Sequence, residues 1–173
     1  MGRILPSYPA KLIVGFIFKE EAALLKAEAI LNGKFGQIDF QSKALPFTHT
    51  HYYDDEFGLN LKRAFISFKK LILPEKLVNI KLMTNSIEKR LSQGPLRTIN
   101  IDPGYLELSK LVLASTKDYS HRIYLGRGIY AEVTLLYQRG SFRGCEWTYP
   151  DYKSQEYIAI FNQIRKIYAQ QIK

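Results

Sequence analysis

An α+β fold is predicted by three features of the 173-residue sequence. Strand-like apolar runs alternate with two stretches of helical periodicity before residue 101. Proline and glycine punctuate the joins. A hairpin signal and one more helical stretch follow. With 46% hydrophobic and 13% aromatic residues, such a chain can bury roughly 70% of its unfolded surface in one domain, which excludes a disordered chain and a fibre.

After a lead broken by Pro6 and Pro9, Lys11 to Phe18 is rich in Ile, Val and Phe and reads as a strand. Glu20 to Phe35 repeats apolar residues at Leu24, Ala27, Leu31 and Phe35, the spacing of one helix face, and Gly36 is placed to terminate it. Gln37 to Pro46 alternates Ile38 and Phe40 with Asp39 and Gln41 and reads as a second strand. Leu61 to Ile72 reads as a third, with Ala64, Ile66 and Phe68 on one face and Arg63, Phe65, Ser67 and Lys69 on the other. Pro74 suits a first helical position, and Leu77, Ile80, Thr84, Ile87 and Leu91 form a stripe that ends near Gly94-Pro95. Arg97 to Ile101 is a short strand, which Asp102-Pro103-Gly104 is expected to close as a turn.

The order βαββαβ over residues 11–101 is that of a ferredoxin-like core. Residues 102–173 extend it within a single domain spanning 1–173. Leu106 to Ala114 reads as a helix. A hairpin with the three-residue loop Gly126-Arg127-Gly128 pairs Leu125 with Ile129, Tyr124 with Tyr130, Ile123 with Ala131 and Arg122 with Glu132. Its expected apolar face is Ile123, Leu125, Ile129, Ala131 and Val133. Its polar face is Arg122, Tyr124, Tyr130, Glu132 and Thr134. A terminal helix from Ser154 to Ile172 places Tyr157, Phe161, Ile164, Tyr168 and Ile172 on one side.

Cys145 is the one cysteine, so neither an internal disulfide nor a zinc site built on paired cysteines is available. The longest purely apolar run, Leu12 to Phe18, is far short of the about 20 residues a membrane helix needs. Prolines interrupt any secretory leader. The expectation is a cytoplasmic protein without membrane contact. The net charge of +9 is concentrated between residues 61 and 99, in Lys62, Arg63, Lys69, Lys70, Lys76, Lys81, Lys89, Arg90 and Arg97 against Glu75 and Glu88. Such a basic stripe attracts phosphates and polyanions, and it also describes an ordinary solvated face. Arg63 to Phe68 partly matches the aromatic strand motif of RNA-recognition domains, which makes RNA a partner to test.

His49 and His51, with Asp54, Asp55 and Glu56, have the composition of a metal loop, but their spacing is not specific and they are read as solvated. Ser115 to Arg122 is chemically the densest stretch, holding Ser115, Thr116, Lys117, Asp118, His121 and Arg122. Lys110 precedes Lys117 by seven positions, so a continuous helix would bring both, with Arg122, toward one anionic group. His121 has the pKa range suited to proton transfer near neutrality. A structural alternative pairs Arg122 with Glu132 across the hairpin. There is no phosphate-binding P-loop and no Gly-x-Ser-x-Gly elbow, Cys145 has no histidine near it in sequence, and Thr116-Lys117-Asp118 lacks the spacing of a guanine-reading element. No cofactor is identified.

Asn100 to Leu106, Lys110 to Asp118, His121 to Leu125, Gly128 to Leu135 and Trp147 to Tyr152 resemble, as a set, the domain of unknown function 4416 family. The likeness runs from Pro9-Ala10-Lys11-Leu12 through Thr50-x-Tyr52-Tyr53 and Glu56-x-Gly58 to the final helix. It implies a small prokaryotic protein of a family without an established activity, and a pattern that does not require both His49 and His51. Its characteristic polar residues fall here on Tyr53, Glu56, Arg63, Asp102, Tyr105, Lys110, Lys117, Asp118, His121, Arg122, Glu132 and Trp147. That set favours one pocket between the hairpin's polar face and residues 102–121.

The expected function is binding of a phosphorylated small molecule or nucleotide through Lys110, Lys117 and Arg122, with Asp102, Tyr105, Arg63, Tyr53 and Glu56 also lining the site. If chemistry follows, His121 is the acid or base, and Asp118 and Glu132 assist it. The alternative is a non-catalytic RNA-binding module that uses the basic stripe of residues 61–99. Oligomeric state is not legible.

Overall fold

The computed structural model describes residues 2–3, 5–48 and 57–173. Among the described residues, three α-helices cover a sheet of nine strands whose order is β2-β4-β1-β5-β6-β8-β7, with β3 added beside β4 and β9 beside β8. The strands are β1 (Lys11–Phe18), β2 (Ile38–Gln41), β3 (Leu45–Pro46), β4 (Lys62–Phe68), β5 (Ile99–Leu106), β6 (Lys110–Ser115), β7 (Ile123–Gly126), β8 (Ile129–Gln138) and β9 (Ser141–Gly144). The helices are α1 (Glu21–Phe35), α2 (Leu77–Leu91) and α3 (Gln155–Gln171). Every strand pairing is antiparallel.

The unbroken apolar run of β1 is explained by its central place between β4 and β5, with both faces covered. Leu12, Val14, Phe16 and Phe18 pack under α1 and α2, together with Ala64, Ile66 and Phe68 of β4. Ile13 and Phe65 face the other way, into a second core closed by Tyr157, Phe161, Ile164 and Tyr168 of α3. The face assignment for β4 expected from alternation therefore holds. Each such apolar side chain contributes roughly 1.5–3 kcal/mol on burial. Ser154 caps α3 by accepting the Tyr157 backbone N–H. Gly36 ends α1 with a positive φ of 84°.

Three expectations are corrected. Asp102-Pro103-Gly104 is not a turn but the middle of β5, paired with β1 from Lys11↔Leu106 to Phe18↔Ile99. Gly104 serves close approach rather than turning, because a Cβ there would lie 2.4 Å from the Val112 carbonyl oxygen. Leu106 to Ala114 is not a helix, since Lys110 to Ser115 form β6 beside β5 and β8. A short apolar run bounded by turn residues fits either element, and the open edge of β5 selects strand. The hairpin pairs Ile123 with Ala131 and Tyr124 with Tyr130 as expected, but a bulge brings Gly126 rather than Leu125 opposite Ile129 and leaves Arg127 and Gly128 as a two-residue loop with φ of 56° and 76°. Its expected apolar face divides accordingly: Ile129 is buried beneath α2, while Ile123 is 68% exposed on the sheet edge.

The second core is rich in phenols. Burial raises the pKa of Tyr152, Tyr157 and Tyr168 above the ordinary phenol value. A folded-state pKa above the unfolded one near 10 means that this stabilisation is intact below about pH 10 and is lost as pH rises further. Alkaline titration is therefore expected to unfold the chain cooperatively, with the buried phenols ionising in the same transition. Smooth ionisation of all twelve tyrosines with no loss of helical circular dichroism is the contrary result.

Candidate functional site

The site begins with Pro103. Backbone groups two residues apart in a strand face the same side, so the nitrogen of Pro103 and the polar groups of Ile101 all point away from β1, toward β6. Proline has no N–H to offer, and the β5–β6 ladder starts only at Gly104↔Leu113. Before that pair β5 has no strand neighbour on this side, and α2 supplies the missing partners. The Ile101 N–H donates to Glu88 Oε1 at 2.6 Å, and Lys81 Nζ donates to the Ile101 carbonyl at 3.1 Å. Lys81 and Glu88 are thus buried charges, 6% and 5% exposed, that complete a broken sheet. Burial raises the Glu88 carboxyl above its ordinary pKa, against the opposing pull of Lys81, the Ile101 N–H and Arg97.

Between the first half of β5 and the end of β6 lies a cleft of about 570 Å³. Its floor holds Arg63, which is 2% exposed. The guanidinium lies 4.9 Å from the Phe65 ring centre and 5.1 Å from that of Tyr152, whose hydroxyl accepts from Nη2. Room for it comes from Gly15 of β1, where a Cβ would approach Arg63 Nη2 to 2.9 Å. Arg63 Nη1 and Lys81 Nζ each stand 3.5 Å from the Asp102 carboxylate, and buried Arg63 Nε has no hydrogen-bond partner among the described residues. Asp102 also accepts from Asn100 Nδ2 at 2.7 Å, while Arg97 holds Glu88 and Asn100 at 3.1 Å each.

The opposite wall is built by the segment after β6. Arg122 donates to Glu132 at 2.8 Å, to Ser115 Oγ at 2.7 Å and to the Lys117 carbonyl at 3.0 Å. Glu132 additionally holds His121 Nε2 at 3.0 Å and the Thr134 hydroxyl at 3.1 Å. Both side chains of the Arg122–Glu132 pair are almost fully buried, at 4% and 3% exposed. Behind it, the His121 ring stacks on Trp147 with centroids 5.5 Å apart and an interplanar angle of 11°.

Among the described residues, five basic side chains line the cleft, namely Arg63, Lys81, Arg97, Lys117 and Arg122, against the acidic Glu88, Asp102, Glu132 and Asp151. Of the residues expected from sequence, Arg63, Asp102, Lys117, Arg122 and Glu132 meet here. His121 touches Glu132 from outside the lining. Desolvation and the Asp118 carboxylate raise the Tyr130 phenol, which places Asp118 on that exposed side of the hairpin. Lys110 does not join Lys117. It pairs with Glu107 at 2.6 Å at the far end of β6, because a six-residue strand separates its ends by about 17 Å. Tyr105 pairs with Leu12 and Val112 and packs into the core. Tyr53 and Glu56, like His49, His51, Asp54 and Asp55, lie outside the described residues. Among the described residues no cluster of three His, Cys, Asp or Glu could hold a metal ion.

The basic stripe divides. Arg63, Lys81 and Arg97 turn into the cleft, whereas Lys62 pairs with Glu21 on the surface at 2.7 Å. Phe65 is fully buried under α3 and offers no face to a base. Among the described residues no helix is long and apolar enough to cross a membrane.

The sequence names Lys81 only within the basic stripe and gives no place in a cleft to Asn85, Glu88, Tyr149, Asp151 or Tyr152. A signal for three of them exists in the sequence, since Lys81, Asn85 and Glu88 recur at the helical spacing of 4 and 3 beside the apolar stripe of α2. What fold and cleft define is an α+β protein with a polar cleft opened inside its sheet. The chain belongs to the family described as a domain of unknown function, DUF4416, whose model matches residues 8–168. No curated protein and no solved structure matches it.

Proposed function

We propose that the cleft binds a phosphorylated small molecule or nucleotide, with the anion met by Lys81 and Lys117 over the charge of Arg63. One observation carries this reading. Two buried cations, Arg63 and Lys81, each stand 3.5 Å from the Asp102 carboxylate on the cleft floor, and among the described residues the buried Arg63 Nε has no acceptor. A buried N–H without an acceptor is costly, and an anion entering the cleft supplies one. The volume suits a small ligand. The platform is, in this reading, a ferredoxin-like core. Support for it comes from the order β2-β4-β1-β5, the antiparallel pairings and the intervening α1 and α2. His121 and Glu132 act behind Arg122, fixing its position, and any proton transfer by His121 runs through that pair.

Thermal shift with inorganic phosphate, pyrophosphate, ribose 5-phosphate, nucleoside monophosphates and a short single-stranded RNA tests the proposal. A ligand at about 100 times its Kd stabilises by roughly 2.7 kcal/mol, a rise of about 5–10 °C in Tm for a chain of this size. Lys117→Ala is expected to weaken the ligand about tenfold, the loss of one charge-assisted contact. No shift with any small phosphate compound overturns the reading. A shift with RNA alone, falling steeply with salt, replaces it with the nucleic-acid alternative.

A further inference from the structure

The cleft mouth carries more aromatic surface than a phosphate needs. Tyr119 and Tyr149 both line it and are 44% and 46% exposed. Exposed rings on a cavity rim are unspent contact area, because each offers an apolar face and a polar edge to whatever enters. Tyr119 is held from behind. The Arg122 guanidinium lies 4.5 Å from its ring centre, and Arg122 is itself fixed by Glu132, Ser115 and the Lys117 carbonyl. The aromatic wall continues through His121, 5.9 Å from Tyr119, to Trp147, whose Nε1 donates to the Val133 carbonyl at 2.9 Å. Two residues on, Tyr149 has no aromatic neighbour and no side-chain hydrogen bond among the described residues. On the facing helix, the half-buried Asn85 lines the same cleft, and its amide has no partner among the described residues.

We propose that Tyr119 and Tyr149 form a stacking shelf for a planar heterocycle, so that the ligand of the cleft is a nucleotide rather than a sugar phosphate or inorganic anion. This rests on the cleft reading above and adds the base to it. Stacking on aromatic side chains tolerates any base and is worth roughly tenfold to a hundredfold in affinity. Arg122 behind Tyr119 is preorganised, so the shelf loses little freedom on binding. Asn85 supplies an amide that can pair with a base edge, as asparagine does with adenine.

The test compares adenosine monophosphate with ribose 5-phosphate on the intact chain by calorimetry, and by the emission of Trp147, the one tryptophan, which stacks within the same wall. The nucleotide is expected to bind at least tenfold more tightly and to change the emission, whereas the sugar phosphate leaves it unchanged. Tyr149→Ala should bring the nucleotide down to the affinity of the sugar phosphate, while Tyr149→Phe preserves the preference. Lys117→Ala should weaken both ligands alike. Equal affinity of the two ligands for the native chain, or a preference that survives Tyr149→Ala, overturns the shelf and leaves the phosphate reading standing. Failure of both ligands to bind removes the cleft reading itself, and the shelf with it.

Discussion

Gly104→Ala is expected to destabilise the chain by more than about 3 kcal/mol, the upper part of the range for overpacked interiors. The new methyl would stand 2.4 Å from the Val112 carbonyl oxygen and 2.7 Å from a Leu113 methyl carbon. The first of these is backbone, held in register by Tyr105↔Val112 and Leu106↔Leu111, so no rotamer change can make room. Relief requires parting β5 from β6, and that contact joins the strands under α2 to the rest of the sheet. For about 170 residues such a loss lowers Tm by roughly 6–12 °C. Thermal melts of the native and variant chains measure it, and a fall of less than about 3 °C would show that the two strands separate there at little cost.

Glu132→Ala is expected to cost about 3–5 kcal/mol, the range for breaking a buried pair by deleting one partner. Removing the carboxylate leaves the Arg122 guanidinium, 4% exposed, with neutral acceptors only, and strips His121 and Thr134 of a shared partner. Adding Arg122→Met should restore part of the loss, because the stranded charge goes with it. A double-mutant cycle therefore yields a strong positive coupling. Additive losses in the double variant would mean that the pair does not act as a unit. So would a single variant within about 1 kcal/mol of the native chain, which is well below the cost of a stranded buried charge.

The parts of the fold legible in sequence are those where one periodicity runs unmixed. β1, α1 and α3 fall within a residue or two of their expected limits, since each has a continuous apolar run or a clean stripe. β6 was misread because six residues from Lys110 to Ser115 are too few to separate a period of 3.6 from one of 2. Pro103 and Gly104 misled for a related reason. Both residues commonly make turns, yet here one withholds a donor and the other makes space, roles that appear only when the neighbouring strand is known. The site followed the same division. Arg122 and Glu132 were expected to pair from hairpin register alone, whereas Lys110 was drawn toward Lys117 by the helical reading of Leu106 to Ala114. Arg63 was singled out without its reason. Its burial depends on Gly15 and on Tyr152, which lie 48 residues before and 89 after it.

The seal between the outermost elements governs when this chain can become native. Tyr168 donates to the Pro9 carbonyl across 159 positions, Lys11 donates to Gln171 across 160, and Gln171 reaches the Lys69 carbonyl across 102. Contacts this remote in sequence carry a high closure entropy and form late. Until α3 docks, the face of β1 and β4 that bears Ile13 and Phe65 is bare to water, so α3 is the late-closing cover on which the second core waits.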